Sequence, residues 1–302
     1  MITVIRSALI FVAILLTSMN VIAQKRPLFI QTDTGGLRAR WELDDNHRNG
    51  TFFFTVYKPV YILPVNWTSN RNIMPGSGNP NNTVHDTLNL DAAELKFQLS
   101  FKTKVFQGIF WGYGDLWAAY TQTSRWQLYN GEISRPFRET NYEPEFMLVF
   151  PTPFRLLGGE ARMMGVGVAH QSNGRAQPLS RSWNRVIFQF GWEKGNWMVV
   201  ARPWFRIQEP DAVDDNPGIE NYIGRGDLVV SYNYKGNQFS FTGRHSLRLG
   251  DANHGSAQID WAMPIRGNLK GHLQIFNGYG ESMIDYNHRQ TTIGIGLSLA
   301  EW

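Results

Sequence analysis

The stretch Leu95-Lys-Phe-Gln-Leu-Ser-Phe-Lys-Thr-Lys-Val105 decides the fold. Its apolar side chains, Leu95, Phe97, Leu99, Phe101 and Val105, stand at odd positions, and Lys96, Gln98, Ser100, Lys102 and Lys104 stand at even ones. A strand sends alternate side chains to opposite faces, so this segment has one apolar face and one charged face. The same alternation returns in Phe239, Phe241, Leu247 and Leu249 against Ser240, Thr242, Arg244, Ser246 and Arg248, which predicts a single strand running through Leu249. It recurs at Leu228, Val230, Tyr232 and Tyr234, and at Ile293, Ile295, Leu297 and Leu299. A soluble sandwich would alternate too. Many runs here reach about ten residues, however, which is the length a tilted membrane strand needs. The expected class is all-β, a transmembrane antiparallel β-barrel.

The start of the chain favours the same compartment. Met1 to Arg6 is short and basic, Ala8 to Leu16 is unbroken apolar sequence, and Val21-Ile22-Ala23 precedes Gln24. That order reads as a secretory signal peptide over residues 1–23, leaving residues 24–302 as one barrel domain. Read instead as an anchor, the apolar run is too short, because a spanning helix needs about 20 residues. Aromatic residues make up 14% of the chain and charged residues only 18%, which suits an apolar outer wall with aromatic girdles. There is no cysteine, so stability must come from elsewhere than disulfides, and a closed hydrogen-bonded ladder is one such source. The net charge of +4 is small and unclustered, which argues against a nucleic-acid partner. The terminal Trp302 suits an outer-membrane chain but is out of phase with the Ile293–Leu299 stripe.

Connections come in two kinds. Lys194-Gly195-Asn196 and Lys235-Gly236-Asn237 read as tight hairpin turns. Trp67 to Asp91, Ser172 to Ser182 and Gln208 to Arg225 are long, polar and rich in Pro, Gly or Asn. Barrels of the outer membrane show this asymmetry, with short turns in the periplasm.

One hairpin carries chemistry. Met164, Val166, Val168, His170 and Ser172 share parity, so the imidazole and hydroxyl lie on the apolar, outward face. Asn184 shares a face with Val186, Phe188 and Phe190. A hairpin centred near Gln177 sets Asn184 opposite His170, about 5 Å away. This arrangement suits acyl transfer: Ser172 attacks an ester carbonyl, His170 takes its proton, and Asn184 holds the other imidazole N–H. A neutral Asn also avoids a permanent charge against lipid. The alternative is a polar hairpin rim just above the membrane. His254-Gly255-Ser256 has the same spacing, but Ser256 is in phase with Gln258 and Asp260 and should face the lumen or a loop. Gln122 lies mid-strand on the outward face set by Leu116, Ala118, Tyr120, Trp126 and Leu128. A lone amide facing lipid is expected to meet a protein partner, unless a bulge turns it inward. Gly278-Tyr-Gly280 reads as a close-packed bend, and Asp44-Asp45-Asn46 as a solvated turn. The seven histidines are scattered and offer no zinc site.

Several segments together resemble the outer-membrane phospholipase A family. They are His170-Gln-Ser-Asn-Gly-Arg175, Ser180-Arg-Ser-Trp-Asn-Arg185, Ser134-Arg-Pro-Phe-Arg-Glu-Thr-Asn-Tyr-Glu-Pro144, Asp214-Asp-Asn-Pro217, Gly278-Tyr-Gly-Glu-Ser282 and Asp285-Tyr-Asn287. The resemblance runs from about Leu95 to the C-terminus; the N-terminal third matches only in character. It implies a twelve-stranded barrel, active as a calcium-bound homodimer, that hydrolyses acyl esters of phospholipids and lysophospholipids with both A1 and A2 specificity. It implies Ser172 as nucleophile, His170 as base, Asn184 as orienting group and the Gly174 N–H as an oxyanion donor. Calcium is then held by the Arg175 carbonyl and Ser180, with Ser134 from the partner subunit. Asp215 matches a further calcium position used in the monomer, after an insertion-like difference. Gln177 stands where the family often has an acidic residue. Gln122 falls at a polar dimer-interface position.

The competing readings are a pore or structural barrel without activity, and a lipid-binding barrel that has kept the site but lost its chemistry. A wide channel is disfavoured, because this length supplies only about a dozen ten-residue strands with loops.

Overall fold

The structure is a computed structural model that describes residues 36–300 and 302. The expected signal peptide lies outside the described residues. A short helix, α1 (Gly36–Trp41), precedes thirteen strands. They are β1 (Phe54–Val56), β2 (Val60–Thr68), β3 (Ala93–Phe106), β4 (Asp115–Trp126), β5 (Phe137–Leu156), β6 (Gly159–Ser172), β7 (Ser182–Lys194), β8 (Trp197–Ile207), β9 (Gly226–Tyr234), β10 (Asn237–His245), β11 (Gly255–Arg266), β12 (Leu269–Gly278) and β13 (Gln290–Ala300).

Strands β2 to β13 pair in chain order, each antiparallel to the next. The ring closes where β13 meets β2 through Thr292↔Thr68, Ile293↔Trp67 and Ile295↔Val65. Closure leaves the wall without an open edge, the condition for crossing hydrocarbon. The twelve-stranded barrel expected from the sequence is the fold. A thirteenth piece, β1, was not foreseen. It pairs with β3 alone, at Thr55↔Lys102, beyond the stretch of β3 that β2 covers.

Burial is inverted relative to a soluble protein. Lys102 and Lys104 are 0% exposed, whereas Leu99 on the same strand is 49% exposed. The lysines point into the lumen and the leucine points at lipid. Many lumenal charges are paired: Lys58 Nζ lies 2.6 Å from Glu143 and 3.0 Å from Glu145, and Arg185 lies 2.5 Å from Glu143. Arg202 also pairs with Glu145. The space left among these side chains is a cavity of about 140 Å³, lined by Lys96, Arg125, Glu143, Arg185 and Glu281 among others. A lumen filled in this way is no wide channel.

Two apolar clusters complete the interior. At the end of the short turns, Leu37 and Trp41 of α1 pack with Tyr57, Trp117, Met147 and Met163. Trp302 joins this cluster at its edge, and its carbonyl accepts a hydrogen bond from Gln238 Nε2 at 2.7 Å. Its odd phase is explained, since the terminal residue turns toward the inside. At the other end Trp183, Ile187, Trp204, Ile223 and Met283 pack beneath the long loops.

The strand expected to run through Leu249 ends at His245. Leu247 has φ 54° and Leu249 is 91% exposed, in a loop closed by the Ser246 N–H donating to the His254 carbonyl. The alternation there is compositional, and no ladder supports it.

Candidate active site

The β6–β7 hairpin has the expected register. His170 pairs with Asn184 and Ser172 with Ser182. Asn173, buried at the head of the loop, sets that register. Its N–H donates to the Arg181 carbonyl at 3.0 Å, its Oδ1 accepts the Arg181 N–H at 3.0 Å, and its Nδ2 donates to the Leu179 carbonyl at 2.8 Å. From inside the barrel the hairpin is braced by Trp183, fully buried against Trp204 with ring centroids 6.0 Å apart. The Arg185 guanidinium lies 4.3 Å from the Trp183 ring. A close-packed backing of this kind holds outward side chains in fixed rotamers.

On the outside, His170 Nδ1 lies 2.9 Å from Asn184 Oδ1. An amide oxygen only accepts, so the contact requires the proton on Nδ1 and leaves Nε2 free as a base. Ser172 is two residues along the same face, half-buried. No hydrogen bond joins its hydroxyl to His170; residues so spaced sit roughly 7 Å apart along a strand. Such contacts commonly tighten when substrate binds. Gly174 has φ +62°, a conformation other residues adopt at a cost, and an added Cβ would meet the Tyr142 ring at 3.1 Å. Its N–H has no acceptor among the described residues and is available to a ligand.

Asn184 has a second partner that sequence reasoning missed. Its Nδ2 donates to Glu209 Oε1 at 2.9 Å. Ile207 is the Cα partner of Asn184, and Glu209 follows two residues later. The parity of Phe205, Ile207 and Glu209 would have marked that carboxylate as outward-facing.

The candidate calcium ligands divide. Ser180 Oγ donates to Asp215 Oδ2 at 2.6 Å, so loops 173–181 and 208–225 meet there. Asn82, from the β2–β3 loop, joins them: its Nδ2 donates to Asp215 Oδ1 at 3.0 Å and to the Ser180 carbonyl at 2.9 Å. Its own Oδ1 is buried without a partner. A hard cation takes oxygen ligands of this kind, and an orphaned buried amide oxygen beside a carboxylate and a carbonyl suits one. Sequence alone gave no signal for Asn82. Arg175 and Gln177 are exposed in the loop. Ser134 sits apart, exposed in the β4–β5 loop at φ 61°, with no hydrogen bond to Ser180 or Asp215. Among the described residues no group of three or more His, Cys, Asp or Glu is gathered in one place.

Gln122 does lie on the outward face, but its amide is not alone. Its Oε1 accepts from Tyr120 Oη at 3.1 Å and its Nε2 donates to Ser124 Oγ at 3.2 Å. One N–H and one lone pair remain. His254 stacks on Tyr222 with centroids 4.4 Å apart and bonds the Asn221 carbonyl, a structural role. Gly278 is a close approach, as expected: a Cβ there would meet the Gly255 carbonyl at 2.3 Å.

Residues 37–299 match the sequence model of the family described as Phospholipase A1. The chain belongs to the phospholipase A1 family. It is 41% identical over 267 residues to a putative phospholipase A1 of Neisseria meningitidis, covering 86% of this chain and 69% of that one. To phospholipase A1 of Escherichia coli it is 42% identical over 206 residues, covering 68% and 69%. The outer membrane phospholipase A of Escherichia coli, solved as an active-site mutant with an asparagine replaced by alanine, superposes with a TM-score of 0.76 at 34% identity. That superposition covers 88% of this chain and 99% of the other. A Salmonella typhi outer membrane phospholipase, solved as a dimer with bound calcium, gives 0.74 at 36% identity, covering 84% and 95%. This phospholipase is therefore an outer-membrane β-barrel hydrolase, and the readings as a pore or a structural barrel fall away.

Proposed function

We propose that the phospholipase hydrolyses acyl esters with Ser172 as nucleophile, His170 as general base and Asn184 as the group that orients the imidazole. The observation that carries this is the 2.9 Å contact of His170 Nδ1 with Asn184 Oδ1 on the lipid-facing side of the wall, with Ser172 in phase beside it. Ser172 Oγ attacks the ester carbonyl as His170 Nε2 takes its proton, and the imidazolium then protonates the departing alkoxide of the lysolipid. The Gly174 N–H donates to the oxyanion. Water deacylates Ser172 by the same relay. Facing outward at the long-loop end, the site receives its lipid sideways from the outer leaflet. An asparagine at the active site of the Escherichia coli relative supports the role given to Asn184.

Calcium is the expected cofactor, held by the Arg175 carbonyl and Ser180 with Ser134 of a second copy, and in the monomer by Ser180 and Asp215. The bound calcium and the dimer of the Salmonella relative support this. The oxygen donors gathered at Ser180, Asp215 and Asn82 suit that ion. When bound, calcium supplies fixed positive charge beside the developing oxyanion, which a neutral Asn does not. The homodimer would use the polar row at Gln122. The reading extends to both acyl positions and to lysophospholipids, and residues 1–23 would be removed on export.

The test is fatty-acid release from phospholipid micelles by protein purified in detergent, with calcium or chelator. Activity persisting in Ser172→Ala would sink the nucleophile. Activity indifferent to chelation would sink the metal.

A further inference from the structure

His170, Asn184 and Glu209 form one outward row across β6, β7 and the start of the loop that follows β8. His170 sits on β6 opposite Asn184 on β7, whose partner on β8 is Ile207. Glu209 lies two residues beyond Ile207, on the diagonal that keeps the same face. The row is hydrogen-bonded throughout, at 2.9 Å from imidazole to amide and 2.9 Å from amide to carboxylate. Among the described residues, Asn184 is the only hydrogen-bond partner of the Glu209 carboxylate.

We infer that Glu209 is a positioning residue for the hydrolysis, acting through Asn184 to fix and charge the histidine relay. This rests on the Ser172–His170–Asn184 reading above. Two physical effects follow from the carboxylate. A side-chain amide can rotate by half a turn, presenting either oxygen or NH2 to the imidazole. An ionised carboxylate only accepts, so it draws the NH2 to itself and turns Oδ1 toward His170 Nδ1. The half-turned amide would set donor against donor and lose the tautomer with Nε2 free.

The second effect is electrostatic. When His170 takes the Ser172 proton, an imidazolium forms against an amide that has no charge to offer it. Glu209 supplies negative charge one residue further along the row. Hydrogen bonds in a chain also polarise one another, making Asn184 Oδ1 a stronger acceptor than it is alone. A site on a lipid-facing wall thus keeps a neutral group in contact with the imidazole and sets the charge back at the loop margin, where water can solvate it.

The experiment compares Glu209→Gln, Glu209→Ala, Asn184→Ala and the double variant Asn184→Ala/Glu209→Gln with the native enzyme. Ser172→Ala serves as the control for the underlying site. Each is assayed with calcium on phospholipid–detergent micelles across pH. Glu209→Gln keeps a hydrogen-bonding group but removes the charge. It should lower kcat by roughly tenfold, as expected for losing a charge-assisted hydrogen bond, with KM little changed. The acid limb of its profile should move to lower pH, because an imidazole without a nearby anion is less basic. Glu209→Ala should lose more, since the amide is then free to rotate. In the Asn184→Ala background the Glu209 change should cost much less than it does alone, because the hydrogen-bonded route to His170 is gone.

A native kcat and pH profile in Glu209→Gln overturns the inference. So does a purely additive double variant. If Ser172→Ala retains activity, the catalytic reading itself fails, and that outcome is distinct from a silent Glu209.

Discussion

Lys96 Nζ and Arg125 Nε close on the two oxygens of one carboxylate, Glu281, at 2.7 and 2.6 Å. Glu281 belongs to the β12–β13 loop, and all three side chains are almost fully buried. The pairing ties an extracellular loop down into the lumen, and Lys96 also bonds Gln274. Removing one partner of such a buried group strands the other charges, a loss of about 3–5 kcal/mol. Glu281→Ala is therefore expected to lower the thermal unfolding temperature in detergent sharply. Near-native unfolding would show that water replaces the carboxylate at little cost.

The same carboxylate sets an acid limit. Burial alone would raise its pKa, but Arg125 and Lys96 hold it well below the usual value of 4.5. A depressed folded value means Glu281 contributes stability above pH 4.5, and the contribution is lost as pH falls toward the folded value. The unfolding-temperature gap between the native protein and Glu281→Gln should be flat from neutral pH to about pH 5 and narrow below 4. A gap that widens on acidification contradicts this sign.

Much of this was legible in one dimension. Parity separated Lys96, Lys102 and Lys104 from Leu99 and set His170, Ser172 and Asn184 on one face, because strand geometry has period two and the wall is one layer thick. Glu209 obeyed the same rule, but a loop-like composition hid it. Asn82 obeyed none: it reaches Asp215 across 133 residues by tertiary folding of two loops. The extension to Leu249 failed because alternation persists where no neighbouring strand pairs with it. Gln122 faced outward as parity required, yet Tyr120 and Ser124 answered part of its polarity within the chain.

Asp215 faces Ser180 and Asn82 with the one carboxylate of that group, so it should dominate cation attraction there. Asp215→Asn is expected to weaken calcium binding by roughly tenfold or more, since site charge tunes calcium affinity. Gln177→Asp, which adds a carboxylate on the neighbouring loop, should strengthen it. Titration calorimetry in detergent reads both, independently of turnover. Equal affinities in all three proteins would move the ion elsewhere.

Gln122 has one N–H and one lone pair left after bonding Tyr120 and Ser124, on a wall otherwise set by Leu116 and Ala118. If the dimer uses this row, Gln122→Ala removes up to two interfacial hydrogen bonds, each worth about 0.6 kcal/mol between membrane segments. The dimer dissociation constant should then rise by roughly three- to tenfold at fixed detergent. The monomer should stay folded, because Tyr120 and Ser124 sit on the same strand and lose no ladder bond. Sedimentation equilibrium with calcium and a non-hydrolysable lipid analogue gives the constant directly. An unchanged constant would detach Gln122 from the interface and leave the Ser172 chemistry untouched. A lost dimer with full turnover would instead separate assembly from catalysis.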